Sequence, residues 1–179
     1  MKAKCHVRLG ELLSQKYLDN KKKRYQKAFQ LGCIEPDRNP FTYAKGSFRA
    51  QWLRGHNFEN SKKFVERKIE KLQKKKKYHI WDYYNLGKVI HYTTDSFTAA
   101  HNQFFPTKIS VHNAYEADLQ QYFLTYLEKH TIPNNITKQN AYFHFMAHQR
   151  AYQKECVAEI QNDAEFVFVA CVCIMLMLI

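Results

Sequence analysis

Glycine and proline are scarce in this chain, at 5 and 4 of 179 residues. So few turn-formers argue against a sandwich or barrel, which needs a turn signal at short regular intervals. They leave room for long uninterrupted helices. Cysteine is also sparse, at 5 residues, an odd number with no CxxC among them. That pattern excludes a disulfide framework and fits a reducing compartment. No secretory signal is visible at the start, which points to the cytoplasm or the periphery of a membrane. No internal repeat at solenoid periods and no low-complexity linker divide the sequence, so one domain over 1–179 is expected. Acidic side chains are outnumbered, 16 against 28 basic ones, for a formal charge of +12. A basic balance calls for an anionic partner: nucleic acid, phospholipid headgroups or phosphorylated metabolites. Much of it sits in two runs, 21–24 and 74–77. Such runs read as solvated helix ends or as a surface that attracts a membrane or polyanion.

Apolar residues are abundant. Hydrophobic residues make up 45% of the chain, including 13 Phe and 12 Tyr, which excludes disorder. The spacing predicts an all-α bundle of six or seven helices. They fall at 5–19, at 22–31 with Gly32 as C-cap, from Asn60 or Ser61 to about Gln73, and at 81–102. Others follow at 110–129, from a Thr137 cap to about 161, and along the apolar tail 164–179. Residues 35–40 read as a Pro-rich loop and 41–59 as irregular. A tail helix of 16 residues would span roughly 24 Å, short of the ~20 residues a bilayer requires. It is expected to be a core helix or a membrane-associated segment.

Nine histidines stand out, and three of them, His91, His101 and His112, fall in a pattern with nearby carboxylates. His91 and Asp95 are four apart on one helix, and His112 and Glu116 four apart on the next. That spacing places each pair on one helical face. Two such pairs on successive helices can converge, as metal sites in helix bundles do. On a continuous helix His101 would sit about 80° from His91 and roughly 15 Å further along. It therefore suits a second metal or the His112 and Glu116 pair. Imidazole and carboxylate without thiolate suit hydrolytic zinc, which keeps a position for water and lowers its pKa; imidazole is a poor ligand for magnesium. His79, His130, His144 and His148 read as structural or solvated. Trp81, Tyr83, Tyr84 and Phe97 read as core.

The segment Leu86, Gly87, His91, Tyr92, Asp95 and His101, followed by His112 and Glu116, resembles the signature of the bacterial zinc-dependent phospholipase C family. Residue types and local spacings agree. Upstream, His6, Asp37 and His56 fit the family in order and context. Ala99 stands where the family often has proline. The resemblance implies an all-helical fold, two or three zinc ions and hydrolysis of phospholipid phosphodiesters at a membrane surface. By that resemblance Asp37, His56, His91 and Asp95 hold one zinc, and His101, His112 and Glu116 a second. His6 and Asp95 share a third with the N-terminal amine and carbonyl, and Asp37 is the general base. Two other expectations remain open. One is a single-strand nuclease of the related zinc family, with nucleic acid as partner. The other is a non-catalytic, membrane-associated zinc-binding protein.

Overall fold

The structure, a computed structural model, describes residues 1–39, 58–106, 108–133, 135–155 and 157–179. His56 and most of the stretch expected to be irregular lie outside the described residues. The described residues form seven α-helices and no strand. They are α1 (Ala3–Leu18), α2 (Lys23–Arg38), α3 (Phe58–Gln73), α4 (Ile80–Ser96), α5 (Ile109–Lys129), α6 (Ala141–Glu155) and α7 (Ile160–Leu178), with a 3-10 turn at Ala99–His101. This is the all-α bundle that the spacing predicts.

The apolar tail is the axis of the bundle. Val167, Phe168, Ala170, Cys171, Val172, Ile174 and Met175 are all buried, and α7 packs against α1, α3, α4, α5 and α6. A helix surrounded on every side needs no polar face, which accounts for its uniform apolarity. It is 19 residues long, reaching further toward the N-terminus than the tail expected at 164–179. By length and composition alone it could also cross a membrane. Leu9 and Leu13 of α1, Phe29 of α2, Leu86 and Ile90 of α4, and Leu119 and Phe123 of α5 complete the core around it.

Several expected boundaries are corrected. Gly32 does not end α2, which continues through Gly32 and Pro36 to Arg38. Gly32 instead lies against Gly87 of α4. A Cβ on Gly32 would stand 2.1 Å from the Tyr84 carbonyl oxygen, and one on Gly87 would stand 2.1 Å from that of Phe29. The two helices touch backbone to backbone, and that packing outweighs the roughly 1 kcal/mol cost of a helical glycine. Pro36 lies inside the last turn of α2, where it supplies no N–H to the Gly32 carbonyl. The expected loop therefore starts at Asn39 rather than at residue 35. α3 begins at Phe58, inside the stretch read as irregular.

Nor is there one helix over 81–102. α4 stops at Ser96, where side chains claim the last carbonyls. Thr98 Oγ1 donates to Thr94 O at 3.0 Å, and Asn102 Nδ2 donates to Ser96 O at 3.2 Å and to Thr98 O at 2.9 Å. The helix expected from Thr137 to about 161 is shorter at both ends: it stops at Glu155, and residues 160–161 already belong to α7. The Thr137 amide donates to Asn140 Oδ1 at 2.6 Å in a turn that delays α6 to Ala141. Trp81 is 71% exposed, because it lies on the outer face of the first turn of α4, whereas Tyr83 and Phe97 are buried as expected. His79 is structural, capping α4 in a reciprocal box with Asp82.

The glycine contact makes a graded prediction. Gly32→Ala and Gly87→Ala each force a methyl group onto a backbone carbonyl, and each should destabilise the fold by about 3 kcal/mol in urea unfolding. Gly10→Ala should cost clearly less, because its Cβ would meet only the Cys33 side chain, at 3.2 Å.

Candidate metal centre

Five elements meet at one end of the bundle. α1 brings His6, α2 brings Asp37 in its last turn, and α4 brings His91 and Asp95. The 3-10 turn brings His101, and α5 brings His112 and Glu116. The four-residue spacings do what they predict: His91 Nε2 lies 3.2 Å from Asp95 Oδ2, and His112 Nε2 lies 3.6 Å from Glu116 Oε2.

Asp95 is the hub. Its Oδ1 stands 2.8 Å from the Met1 amine, 3.3 Å from His6 Nε2 and 3.8 Å from His101 Nε2. Asp37 lies 3.6 Å from His91 Nε2 and 3.9 Å from His6 Nε2. His101 Nε2 is 3.1 Å from Glu116 Oε1, which is 2.8 Å from the Met1 amine. The amine thus links two donor groups, one of His6, His91 and Asp95, the other of His101, His112 and Glu116. His101 does not extend along α4 as a continuous helix would require. The chain reverses after Ser96 and carries it back to Asp95 and Glu116.

The inner group is sealed and the outer one meets solvent. His6, His91 and Asp95 are at most 1% exposed, whereas Asp37 is 19% and His112 31% exposed. His91 Nδ1 donates to the Cys33 carbonyl at 2.9 Å, which turns Nε2 toward the carboxylates. The His6 ring stacks on His91 with centroids 4.0 Å apart. Neither nitrogen of His6 makes a hydrogen bond among the described residues, although both are buried.

The electrostatics follow from burial among opposite charges. Burial, then the neighbouring His91, pushes the His6 pKa down to about 4. Burial would lower His91 too, but the Asp95 and Asp37 carboxylates outweigh it and raise its pKa. Burial works against an ionised Asp95, yet the Met1 ammonium, His101, His91 and His6 hold its pKa well below the usual carboxylate range. The amine would lose its proton on burial alone; Asp95 and Glu116 instead raise its pKa to about 11.

These residues fit zinc. Ligands at 2.0–2.1 Å in a tetrahedron stand roughly 3.3 Å from one another, and the donor separations above cluster about that value. Two buried imidazole nitrogens without hydrogen bonds, and carboxylates without thiolates, are the donor set of a hydrolytic site.

Sequence reasoning missed Asp163. This fully buried residue in the first turn of α7 accepts from the Ala99 amide at 2.7 Å, from Tyr115 Oη at 2.9 Å and from Tyr152 Oη at 3.0 Å. It pins the turn that carries His101 and the residue beside Glu116. The available signal was a lone Asp at the head of an apolar run.

A helical bundle with a buried imidazole and carboxylate centre at one end defines a class, the all-α proteins with a candidate metal centre. The sequence pattern described as zinc dependent phospholipase C matches residues 5–163, and the chain belongs to that family. Zinc dependence and a phospholipase C-like hydrolase function come with membership. No curated protein and no solved structure matches the chain.

Asp163 yields a pH prediction. Burial raises its pKa from the ordinary 3.8 to about 6. A carboxyl with a raised folded pKa contributes stability below its unfolded pKa and loses it as pH climbs through the folded one. Relative to Asp163→Asn, the wild type should lose stability as pH rises from 3.8 toward about 6. Thermal melts across that window check this; parallel curves for the two proteins would refute it.

Proposed function

We propose that the protein is a phospholipase C-type phosphodiesterase, acting as one domain on phospholipid headgroups at the cytoplasmic or peripheral face of a membrane. The observation that carries this reading is the set of donor separations around Asp95, in a chain of the zinc-dependent phospholipase C family. Asp37, His91 and Asp95, with His56 from outside the described residues, would hold one zinc. His101, His112 and Glu116 would hold a second. His6, Asp95 and the Met1 amine would hold a third. Bound zinc supplies Lewis acidity, offsetting charge that develops on phosphoryl oxygens and making water acidic enough to yield a nucleophile near neutral pH.

The chain's own residues do the rest. Asp37 is exposed enough to meet a water molecule, and its carboxylate takes the proton of the water that attacks phosphorus. The Cys33 carbonyl fixes the His91 ring, and Asp163 fixes the turn bearing His101, so the donors are set before substrate arrives. The more exposed His112 and Asp37 mark the side from which substrate enters. The bond between phosphorus and the glycerol oxygen breaks, the proton that Asp37 took from the water passes to that oxygen, and diacylglycerol leaves.

Metal analysis of the purified chain should find at least two zinc ions, and less than one would end this reading. Phosphatidylcholine vesicles should be hydrolysed in preference to single-stranded DNA; the reverse order would make the protein a nuclease on the same metal centre. His91→Ala should lower bound zinc and reduce hydrolysis by about 100-fold or more.

The Met1 amine has its own test. Residues appended ahead of Met1 turn it into an amide, which neither ligates a metal nor carries charge. The extended protein should bind less zinc than the chain that begins at Met1, while equal zinc content would remove the amine from the ligand set.

A further inference from the structure

The two lysine runs take no part in the metal centre. They lie at the other end of the bundle: Asp82, which pairs with Lys75, and Asp95 are about 20 Å apart along α4. There the α1–α2 and α3–α4 connections meet beside the end of α7. Lys21, Lys22, Lys75, Lys76, Lys77 and Lys138 surround one hollow of about 680 Å³. That volume is in the range of small-molecule sites, roughly 300–1,000 Å³.

Gathering like charges is unfavourable unless something offsets it. The carboxyl ends of α1, α3 and α7, the last with the Ile179 carboxylate, bring negative charge, the amino ends of α2 and α4 in the same connections bring positive charge, and Asp82 supplies one full charge to Lys75, 2.5 Å away. Among the described residues no carboxylate side chain pairs with Lys21, Lys22, Lys76, Lys77 or Lys138. The neighbouring Tyr25 hydroxyl registers the field. A hydrogen bond from Arg24, with the charges of Lys22 and Lys77 nearby, holds its pKa below the ordinary value. The Tyr78 hydroxyl, on another lining residue, is buried with no hydrogen-bond partner among the described residues. Leu72, Met177 and Leu178 also line the hollow, and apolar walls focus the field of the lysines.

We propose that this hollow is a second ligand site, separate from the metal centre, for a molecule carrying two or more phosphate groups. Lysine ammonium groups bind phosphate as point charges. A concave site of this size suits a discrete polyphosphate rather than a flat bilayer or a nucleic-acid strand. A soluble polyphosphate and a phosphorylated inositol headgroup present the same chemistry.

Two probes test it on the full chain: calorimetric titration with tripolyphosphate, and flotation with phosphatidylcholine vesicles with or without phosphatidylinositol bisphosphate. Saturable binding is expected. It should weaken by about tenfold or more in Lys22→Glu/Lys77→Glu. It should be unchanged in Lys129→Glu/Lys154→Glu, which alters net charge equally at exposed positions outside the hollow. Circular dichroism checks that both variants keep their helices. Flotation only with the bisphosphate lipid, lost in the first variant, supports the site and assigns a lipid source. Tripolyphosphate binding without flotation, lost in the same variant, supports it and assigns a soluble one. Absence of saturable binding to either probe, or equal loss in both double variants, overturns the proposal.

Discussion

Asp95 is an ionised carboxylate at 1% exposure, and an isolated charge so placed would cost several kcal/mol. It stays ionised because amine and imidazole groups approach from three directions besides its own helix: the residue ahead of α1, α1 itself and the 3-10 turn. Asp37 and Glu116 then add two further carboxylates around the same imidazoles. With His6 held neutral by burial and His91 made more basic by Asp95 and Asp37, three carboxylates face one ammonium and one imidazole of raised basicity. The centre is therefore locally acidic within a strongly basic protein, and that local charge calls for a divalent cation.

The packing that permits this convergence lies one turn away. Because Gly32 and Gly87 let α2 and α4 touch along their backbones, the Cys33 carbonyl comes within hydrogen-bond reach of the His91 ring. Asp37 is one helical turn beyond Cys33 on the same face, and so it reaches the same ring. A side chain at either glycine would separate the helices and withdraw both contacts. Core packing and ligand orientation are one constraint here.

Local periodicity made the helices and the two four-residue pairs legible in the sequence, since both follow from 3.6 residues per turn. What stayed hidden depends on contacts distant in sequence. Gly32 reads as a helix stop until Gly87 is seen against it. The return of His101 depends on Thr98 and Asn102 taking carbonyls from α4, and on Asp163 holding Ala99 from 64 residues away. Asp37 looks like a loop residue because proline precedes it, although it closes the last turn of α2. His6, Asp37 and His56 could be placed by resemblance alone, and the structure brings the first two to the centre.

A protein of net charge +12 must still collect a cation, and the layout of the bundle resolves that conflict. Its lysine runs sit in the α1–α2 and α3–α4 connections, beside the end of α7. The metal centre lies about 20 Å away along α4. Between exposed groups at that distance, screening over a Debye length of about 10 Å removes most of the repulsion. The apolar axis of α7 occupies the space between the two ends, so no lysine needs to cross the core. Placing the two lysine runs at one pole keeps that group of cations away from Asp37, Asp95 and Glu116 at the other. The chain can then attract polyanions and hold a metal ion without either task opposing the other.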